Sequence, residues 1–517
     1  MKGRAVWPTM LKRLIPLALF ALARPALADA PPAPVAKVQT LQQQVEAILA
    51  TAPQGTRFGL LVVDETGKVV VSINPDQRFI PGSNTKMFTT AAAYALLPGI
   101  DQPDVAGGTE VALRKGSRRN SPDVVLLGRG DARMSSAPDC AVNCLATLAD
   151  SVAARTRSVG DVVGDDTWFP DQRWSPGMSW NNFGSNDATA ASALTLDSNE
   201  LIVRANPGEL GKPPVLVIPP YVVVTNEATT VPAGPARLTL EHKPNSREFR
   251  LYGSIALGAG EWRERIGIDD PALYAAWTFA EMLKARGVRV LGEVRAVHRP
   301  EGVMDDPSYP LKDAVPGSGR IETYHGVVFI GFAGTALPVL AKLIPPPLGE
   351  DVVTVNKDSQ NLHAELLLRR IARIGGAGSA WDGLAAERDL FERIGIPRAG
   401  FDFSDGSGMS TYNRVSPRAA IALLRWIDGQ PWGPTWHASL PIAGKDGTLR
   451  RRFIGTPLEG NLTAKTGTLN ATNALSGTFT TASGRRFTFA FFANDVPSGA
   501  SALPVMEAAL LQIAAAN

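Results

Sequence analysis

The chain has 517 residues, 44% hydrophobic and 20% charged, which is the composition of a globular protein of two or three domains. Its formal charge of +3 is concentrated at one end. The first 28 residues hold Lys2, Arg4, Lys12, Arg13 and Arg24 and no acid, and the remainder has 47 basic against 49 acidic residues, a net of −2. With no basic run carrying interleaved aromatics, the chain gives no reason to expect a nucleic-acid partner.

Residues 1–28 read as a secretory signal. A basic start leads into the apolar run 14–23, followed by the small-residue sites Ala26-Leu27-Ala28 and Ala28-Asp29-Ala30. Ten apolar residues are too few for a hydrocarbon core that needs about 20. No Cys stands at the cleavage site and no second long apolar run follows. The expectation is an exported, soluble, periplasmic protein without an integral membrane anchor, its mature form starting near Asp29 or Pro31. Pro31-Pro32-Ala33-Pro34 reads as a linker.

Residues 38–50 have helical spacing. Runs 58–63 and 69–73 flank Asp64-Glu65-Thr66-Gly67-Lys68 and predict a hairpin. Pro81-Gly82 interrupts, and residues 86–97 are helical in composition, so Ser83 stands at a helix start. From about 99 to about 321 the texture changes to short β-branched strands at 124–127, 215–218, 221–224, 238–240 and 249–252, with a helix at 271–286. Helices are then expected at 333–342 and 362–374, strands at 474–480 and 486–493, and a packed apolar helix over 502–515. Cys140 and Cys144 leave two readings open, a local disulfide or two thiols; no His or carboxylate cluster beside them suggests zinc.

Three short motifs occur once each, in order: Ser83-Asn84-Thr85-Lys86, Ser359-Gln360-Asn361 and Lys465-Thr466-Gly467-Thr468. Singly, each is commonplace, a helix cap with a solvated lysine or a polar loop. Together they form the set shared by penicillin-binding proteins and class A β-lactamases. A serine hydroxyl needs a base, and the i, i+3 spacing puts Lys86 on the same helical face as Ser83. Lys86 serves only when neutral, which requires desolvation or a nearby positive charge, and Lys465 is a candidate for that charge. Ser359 can pass a proton to a leaving amine, and Asn361 can bind a substrate amide or orient Lys86. The strand carrying Lys465 is expected at a sheet edge, with Gly467 admitting a substrate backbone and Lys465, Thr466 and Thr468 holding a terminal carboxylate. The backbone N–H groups of Ser83 and Thr468 would form an oxyanion hole. The five histidines (His242, His298, His325, His363, His437) sit in no triad pattern, and no G-x-S-x-G is present. No metal or other cofactor is expected.

Longer stretches extend the likeness: Gly164-Asp165-Asp166-Thr167-Trp168-Phe169, Ser192-Ala193-Leu194-Thr195-Leu196, Asp405-Gly406-Ser407-Gly408-Met409-Ser410 and Asp446-Gly447-Thr448-Leu449-Arg450-Arg451-Arg452-Phe453. From about residue 38 to the end, the chain resembles the S13 peptidases, the class C low-molecular-mass penicillin-binding proteins of penicillin-binding protein 4 type. The resemblance implies an α/β (α+β) serine DD-peptidase/β-lactamase-like catalytic domain, in segments 29–98 and 322–517, interrupted by a large mostly-β insertion at 99–321. Class A β-lactamases lack such an insertion. It further implies D-alanyl-D-alanine carboxypeptidase and endopeptidase activity on peptidoglycan stem peptides, with β-lactams as covalent inhibitors. A β-lactamase or esterase on the same fold, and a non-catalytic wall-binding scaffold, are the competing readings. Two positions depart from the family pattern. Gln360 stands where Asp or Gly is usual. Asn182, in Trp180-Asn181-Asn182, matches a substrate-binding position where the family has an acid for the stem-peptide amine; Asp187 is the nearest replacement. Asp166 reads as structural, in a turn.

Overall fold

The computed structural model describes residues 39–116, 121–302, 305, 321–324, 327–330 and 337–517. The expected signal at 1–28, the linker at 31–34 and His325 lie outside the described residues. In the strand Arg57–Val63, Leu61 and Val63 face one way and Leu60 and Val62 the other, and all four are buried. A strand covered on both faces reads as a continuous apolar run, which is what this segment does.

That strand turns back antiparallel onto Val69–Ile73 and pairs on its other edge with Arg486–Asn494. Thr472–Thr480 and then Leu462–Leu469 complete a five-stranded antiparallel sheet, with Leu462–Leu469 at the edge. One face takes the helices Leu41–Leu49 and Leu503–Ala515, which lay Val45, Leu49, Met506, Leu510 and Ile513 against Phe487, Phe489 and Phe491. Full burial of each such Phe contributes roughly 1.5–3 kcal/mol. On the opposite face Ala490 and Phe492 meet Phe88, Val352, Leu367, Phe391 and Leu424 from the helices Thr85–Leu96, Leu348–Lys357, Asn361–Ala372, Ala380–Arg393 and Pro417–Asp428.

A separate core forms between Val111 and Leu343. Its sheet runs in the order Val294–Arg299, Val162–Pro170, Asp123–Leu127, Glu110–Arg114, Val339–Lys342. The first three strands are parallel and the other two pairings antiparallel. Leu145–Arg155 and Pro271–Ala285 cover it, and smaller sheets hang from Glu200–Asn206 and Glu248–Ala256. The helix expected at 333–342 is not what forms: Val339–Lys342 is a strand paired to Glu110–Arg114. An open sheet edge overrides the modest helical preference of Leu, Ala and Lys. Asp166 is likewise in the strand Val162–Pro170, not in a turn; it accepts from Ser192 Oγ at 2.8 Å and faces His298 Nδ1 at 2.9 Å. Cys140 and Cys144 are disulfide-bonded, their Cα atoms 5.8 Å apart. Cys144 caps the start of Leu145–Arg155, so both cysteines precede the helix and its geometry does not oppose the bridge.

The two bodies meet through a small cluster in which Ala132, Phe169 and Ala193 pack on Leu362 and Leu366. Arg133 reinforces it with a 2.7 Å ion pair to Asp351. The helix Asn361–Ala372 is thereby clamped between both cores. Among the described residues no helix is long and apolar enough to cross a membrane.

Candidate active site

Ser83 lies in the 3-10 turn Gly82–Asn84, which runs straight into the helix Thr85–Leu96. Gly82 has φ +50°, and a Cβ there would stand 3.2 Å from the Thr468 backbone nitrogen. A Cβ on Gly467 would stand only 2.4 Å from the Pro81 carbonyl oxygen. The two glycines therefore let the turn and the edge strand touch, which brings the Ser83 and Thr468 backbones to one place. Asn84, fully buried, fastens the junction by donating Nδ2 to the Lys465 carbonyl at 3.0 Å.

Lys86 is 0% exposed. Its Nζ donates to Ser83 Oγ at 2.9 Å, to Asn361 Oδ1 at 2.5 Å and to the Ser407 carbonyl oxygen. Burial pulls its ammonium down to about 8, against the opposing pull of the Asp405, Glu365 and Asp187 carboxylates. Lys465, also 0% exposed, is held well below the ordinary lysine range, first by burial and then by the charge of Lys86. The Asp405, Glu365 and Asp187 carboxylates oppose the depression at Lys86, and none is among the causes at Lys465. Of the two causes that the sequence left open, desolvation or a nearby positive charge, burial is the main one that depresses Lys86.

Ser359 sits between Leu348–Lys357 and Asn361–Ala372 with φ +61°, a left-handed conformation that costs a non-glycine residue about 1–3 kcal/mol. Lys465 Nζ donates to its Oγ at 2.9 Å and to the Thr466 carbonyl at 3.0 Å. Gln360 caps the next helix through the Leu362 N–H at 2.7 Å and reaches Glu200 at 3.3 Å. Asn361 Nδ2 donates to the Asp187 carbonyl at 2.7 Å. Thr466 Oγ1 donates to Thr448 Oγ1 at 2.7 Å, and Thr468 is exposed at the strand edge. Ser83, Lys86, Ser359, Asn361 and Lys465 thus stand in two hydrogen-bonded chains, Ser83–Lys86–Asn361 and Ser359–Lys465.

Asn182 is in the short turn Trp180–Asn182. The cavity beside Lys86 is lined by Asp187, Asn361, Glu365, Ser407, Arg173 and Met409 among others, and Asn182 is not one of its lining residues. His242, His298, His363 and His437 each face an aspartate (Asp269, Asp166, Asp351 and Asp428), and Ser83 Oγ is served by Lys86.

The model of the D-Ala-D-Ala carboxypeptidase 3 (S13) family matches residues 41–316 and 322–517. The chain belongs to this S13 family. With it comes membership of the serine peptidases. The chain is 32% identical over 485 residues to a D-alanyl-D-alanine carboxypeptidase of Actinomadura sp. (strain R39), covering 90% of this chain and 82% of that protein. It is 25% identical over 465 residues to D-alanyl-D-alanine carboxypeptidase DacB of Haemophilus influenzae, covering 86% and 87%. The crystal structure of penicillin binding protein 4 (dacB) from Haemophilus influenzae superposes with a TM-score of 0.72 at 21% identity, over 91% of this chain and 97% of that one. The α/β (α+β) fold expected from the S13 resemblance is therefore the fold adopted.

Several residues at the site had no role in the sequence reading. Asn84 lies inside the first motif, and Ser407 and Thr448 lie in stretches quoted only for their likeness. Glu365 follows Asn361 by one helical turn and so shares its face, a spacing that was readable in advance. Asp187 was noted as an acid near Asn182, but its backbone contact with Asn361 has no sequence signal.

Proposed function

We propose that the protein is a periplasmic serine-type D-alanyl-D-alanine carboxypeptidase and endopeptidase acting on peptidoglycan stem peptides and cross-links through an acyl-enzyme on Ser83. The observation that carries the reading is the contact of Lys86 Nζ with Ser83 Oγ at 2.9 Å, inside a pocket that depresses the lysine to about 8. Neutral Lys86 takes the hydroxyl proton while Ser83 Oγ bonds to the carbonyl carbon of the penultimate D-Ala. The oxyanion lies against the Ser83 and Thr468 N–H groups. When the C–N bond breaks, Ser359 passes a proton to the leaving amine and is resupplied with the one Lys86 took, which leaves Lys86 neutral again, while Lys465 orients the Ser359 hydroxyl. Thr466 and Thr468 hold the terminal carboxylate, and Gly467 admits the substrate backbone. Water then hydrolyses the ester, its proton returning by way of Lys86.

A β-lactam offers an amide to the same serine, and its ring-opened leaving group stays tethered in the site, so the acyl-enzyme persists. The stem-peptide amine, assigned to Asn182 by residue matching, is better served by Asp187, which lines the cavity next to Asn361. In this reading the inserted segment runs to about Lys342, because the strand Val339–Lys342 joins its sheet. The decisive experiment labels the protein with fluorescent penicillin and incubates it with purified muropeptides. Ser83→Ala should lose both labelling and release of D-Ala or cleaved cross-links. Labelling of that variant at another residue would overturn the assignment.

A further inference from the structure

Lys86 Nζ has three acceptors, Ser83 Oγ, Asn361 Oδ1 and the Ser407 carbonyl oxygen. A neutral amine has only two hydrogens to give them. When Lys86 is the base, Asn361 and the Ser407 carbonyl must therefore take both, so that the lone pair faces the Ser83 hydroxyl. Asn361 is fixed by its own helix and by the Asp187 carbonyl. The Ser407 carbonyl belongs to the Ser407–Gly408 peptide, in a loop. Because that peptide is planar, whatever fixes its N–H also fixes where its oxygen points.

The N–H of that peptide is held by Asp405. Gly408 donates to Asp405 Oδ1 at 2.8 Å. Asp405 is 0% exposed and engaged on both oxygens, since Asn413 Nδ2 also donates to Oδ1 at 2.6 Å, and the Ser410 N–H and Ser175 Oγ donate to Oδ2 at 2.6 and 3.1 Å. Gly408 has φ +89°, and a Cβ there would stand 2.0 Å from the Gly82 carbonyl oxygen. The held peptide thus lies flush against the turn that carries Ser83. Glu365 accepts from the Gly406 and Ser407 N–H groups, which belong to the two preceding peptides.

We propose that Asp405 is a positioning residue for the acylation step, holding the Gly408 N–H so that the Ser407 carbonyl takes a Lys86 hydrogen and leaves the lysine lone pair for Ser83. The proposal rests on the reading of Lys86 as the base. It has two separable effects. The grip acts through the peptide, whereas the charge acts on Lys86 directly, because the Asp405 carboxylate opposes the pull of burial on that ammonium. The other charged groups about the pair are Asp187 in the turn Asn186–Ala188, Glu365 and Arg369 on Asn361–Ala372, Lys465 on the edge strand, and Glu387 on Ala380–Arg393, a buried acid pushed up to about 8 by desolvation.

The test measures the rate constant of acylation by a fluorescent penicillin from pH 6 to 10 on the full chain, with the labelled fraction giving the concentration of active enzyme. Asp405→Ala removes both grip and charge. It should lower the high-pH plateau by about tenfold to a hundredfold, the cost of misplacing a reacting group by an ångström, and move the rising limb to lower pH. Asp405→Asn removes the charge alone. Its amide oxygen belongs where Gly408 and Asn413 both donate, because an NH2 group there would face two donors. The limb should therefore move while the plateau stays within about threefold. Asp405→Glu keeps the charge but carries it past the Gly408 N–H by one methylene. It should lose plateau rate with less movement of the limb, and it decides the matter if the alanine variant does not fold. A purely structural role would change the labelled fraction and leave rate constant and limb alone; that result, or an Asn variant as slow as Ala, overturns the proposal. Lys86→Ala separates the two levels, since normal acylation by that variant sinks the base itself, whereas its loss alongside an unaltered Asp405→Ala sinks only the role of Asp405.

Discussion

Lys86 has three acceptors about its nitrogen, the full complement for an ammonium, in a site whose burial disfavours the ammonium. On the proposed function, that conflict is what lets Lys86 act as the base. With the group near 8, about a tenth is neutral at pH 7 and half at pH 8, so acylation by penicillin should rise roughly fivefold over that unit and level off above pH 9. Stability follows the opposite side of the same linkage. The unfolded chain, at the ordinary 10.5, binds more protons than the native one between about 8 and 10.5, so Lys86 costs stability below pH 8 and that cost fades as pH rises through the interval. A stopped-flow pH series and thermal melts across pH 7–10 read the two effects separately. Asp187 gives a second test at this scale. Asp187→Asn removes the carboxylate from the cavity and should reduce kcat/KM for amine-bearing peptides about tenfold, with simple D-Ala-D-Ala mimics little changed. Should Asn182→Asp raise the amine-bearing substrates instead, the amine would lie with the residue-matched position after all.

At the scale of elements, the site is a junction of one turn, one edge strand and one helix end. The turn Gly82–Asn84 and the strand Leu462–Leu469 pack backbone to backbone, which two glycines permit. Gly467→Ala would drive a methyl into the Pro81 carbonyl, an atom that cannot step aside as a side chain would. The strand must retreat, taking Thr468 from Ser83; penicillin acylation should fall at least tenfold, and the melt should report about 1–3 kcal/mol of lost stability. The helix Asn361–Ala372 contributes differently. Its first residue touches Lys86, its fifth accepts from the Ser407 N–H, and Leu362 and Leu366 pack on Ala132, Phe169 and Ala193.

At the scale of the whole molecule, two bodies with separate cores share that one helix. Leu366 is 2% exposed in the cluster that joins them. Leu366→Ala should cost about 2–5 kcal/mol, measured by the urea midpoint. Because the loss falls at the junction, limited proteolysis should nick the inserted segment before the catalytic body; simultaneous cleavage of both would mean that the cluster contributes to one core only. Asp187 and Arg173, from the segment proposed as an insertion, line the cavity, so that variant should slow turnover of large muropeptides more than penicillin acylation.

The amino-acid order by itself determined the chemistry and most of the catalytic body. Ser83 and Lys86 are three residues apart on one helical turn, and the apolar run 58–63 and the alternation in 486–493 mark strands, because each is a pattern within a single element. Residues 362–374 and 271–286 were legible as helices for the same reason, and Gly467 in its strand announced a close approach. Other features depended on what lay alongside. Leu145–Arg155 is amphipathic only with respect to a sheet made of distant strands, and Val339–Lys342 became a strand because Glu110–Arg114 offered an unpaired edge. The sequence left desolvation and a nearby charge both open as the cause of the depression at Lys86, since burial is a sum over every neighbour and no motif records it. Lys86 Nζ meets Asn361 Oδ1 across 275 positions of chain, and the Ser407 N–H meets Glu365 across 42. Hydrogen bonds of that span exist only once the chain has folded, so the motif residues were written in the sequence and their contacts were decided by the tertiary structure.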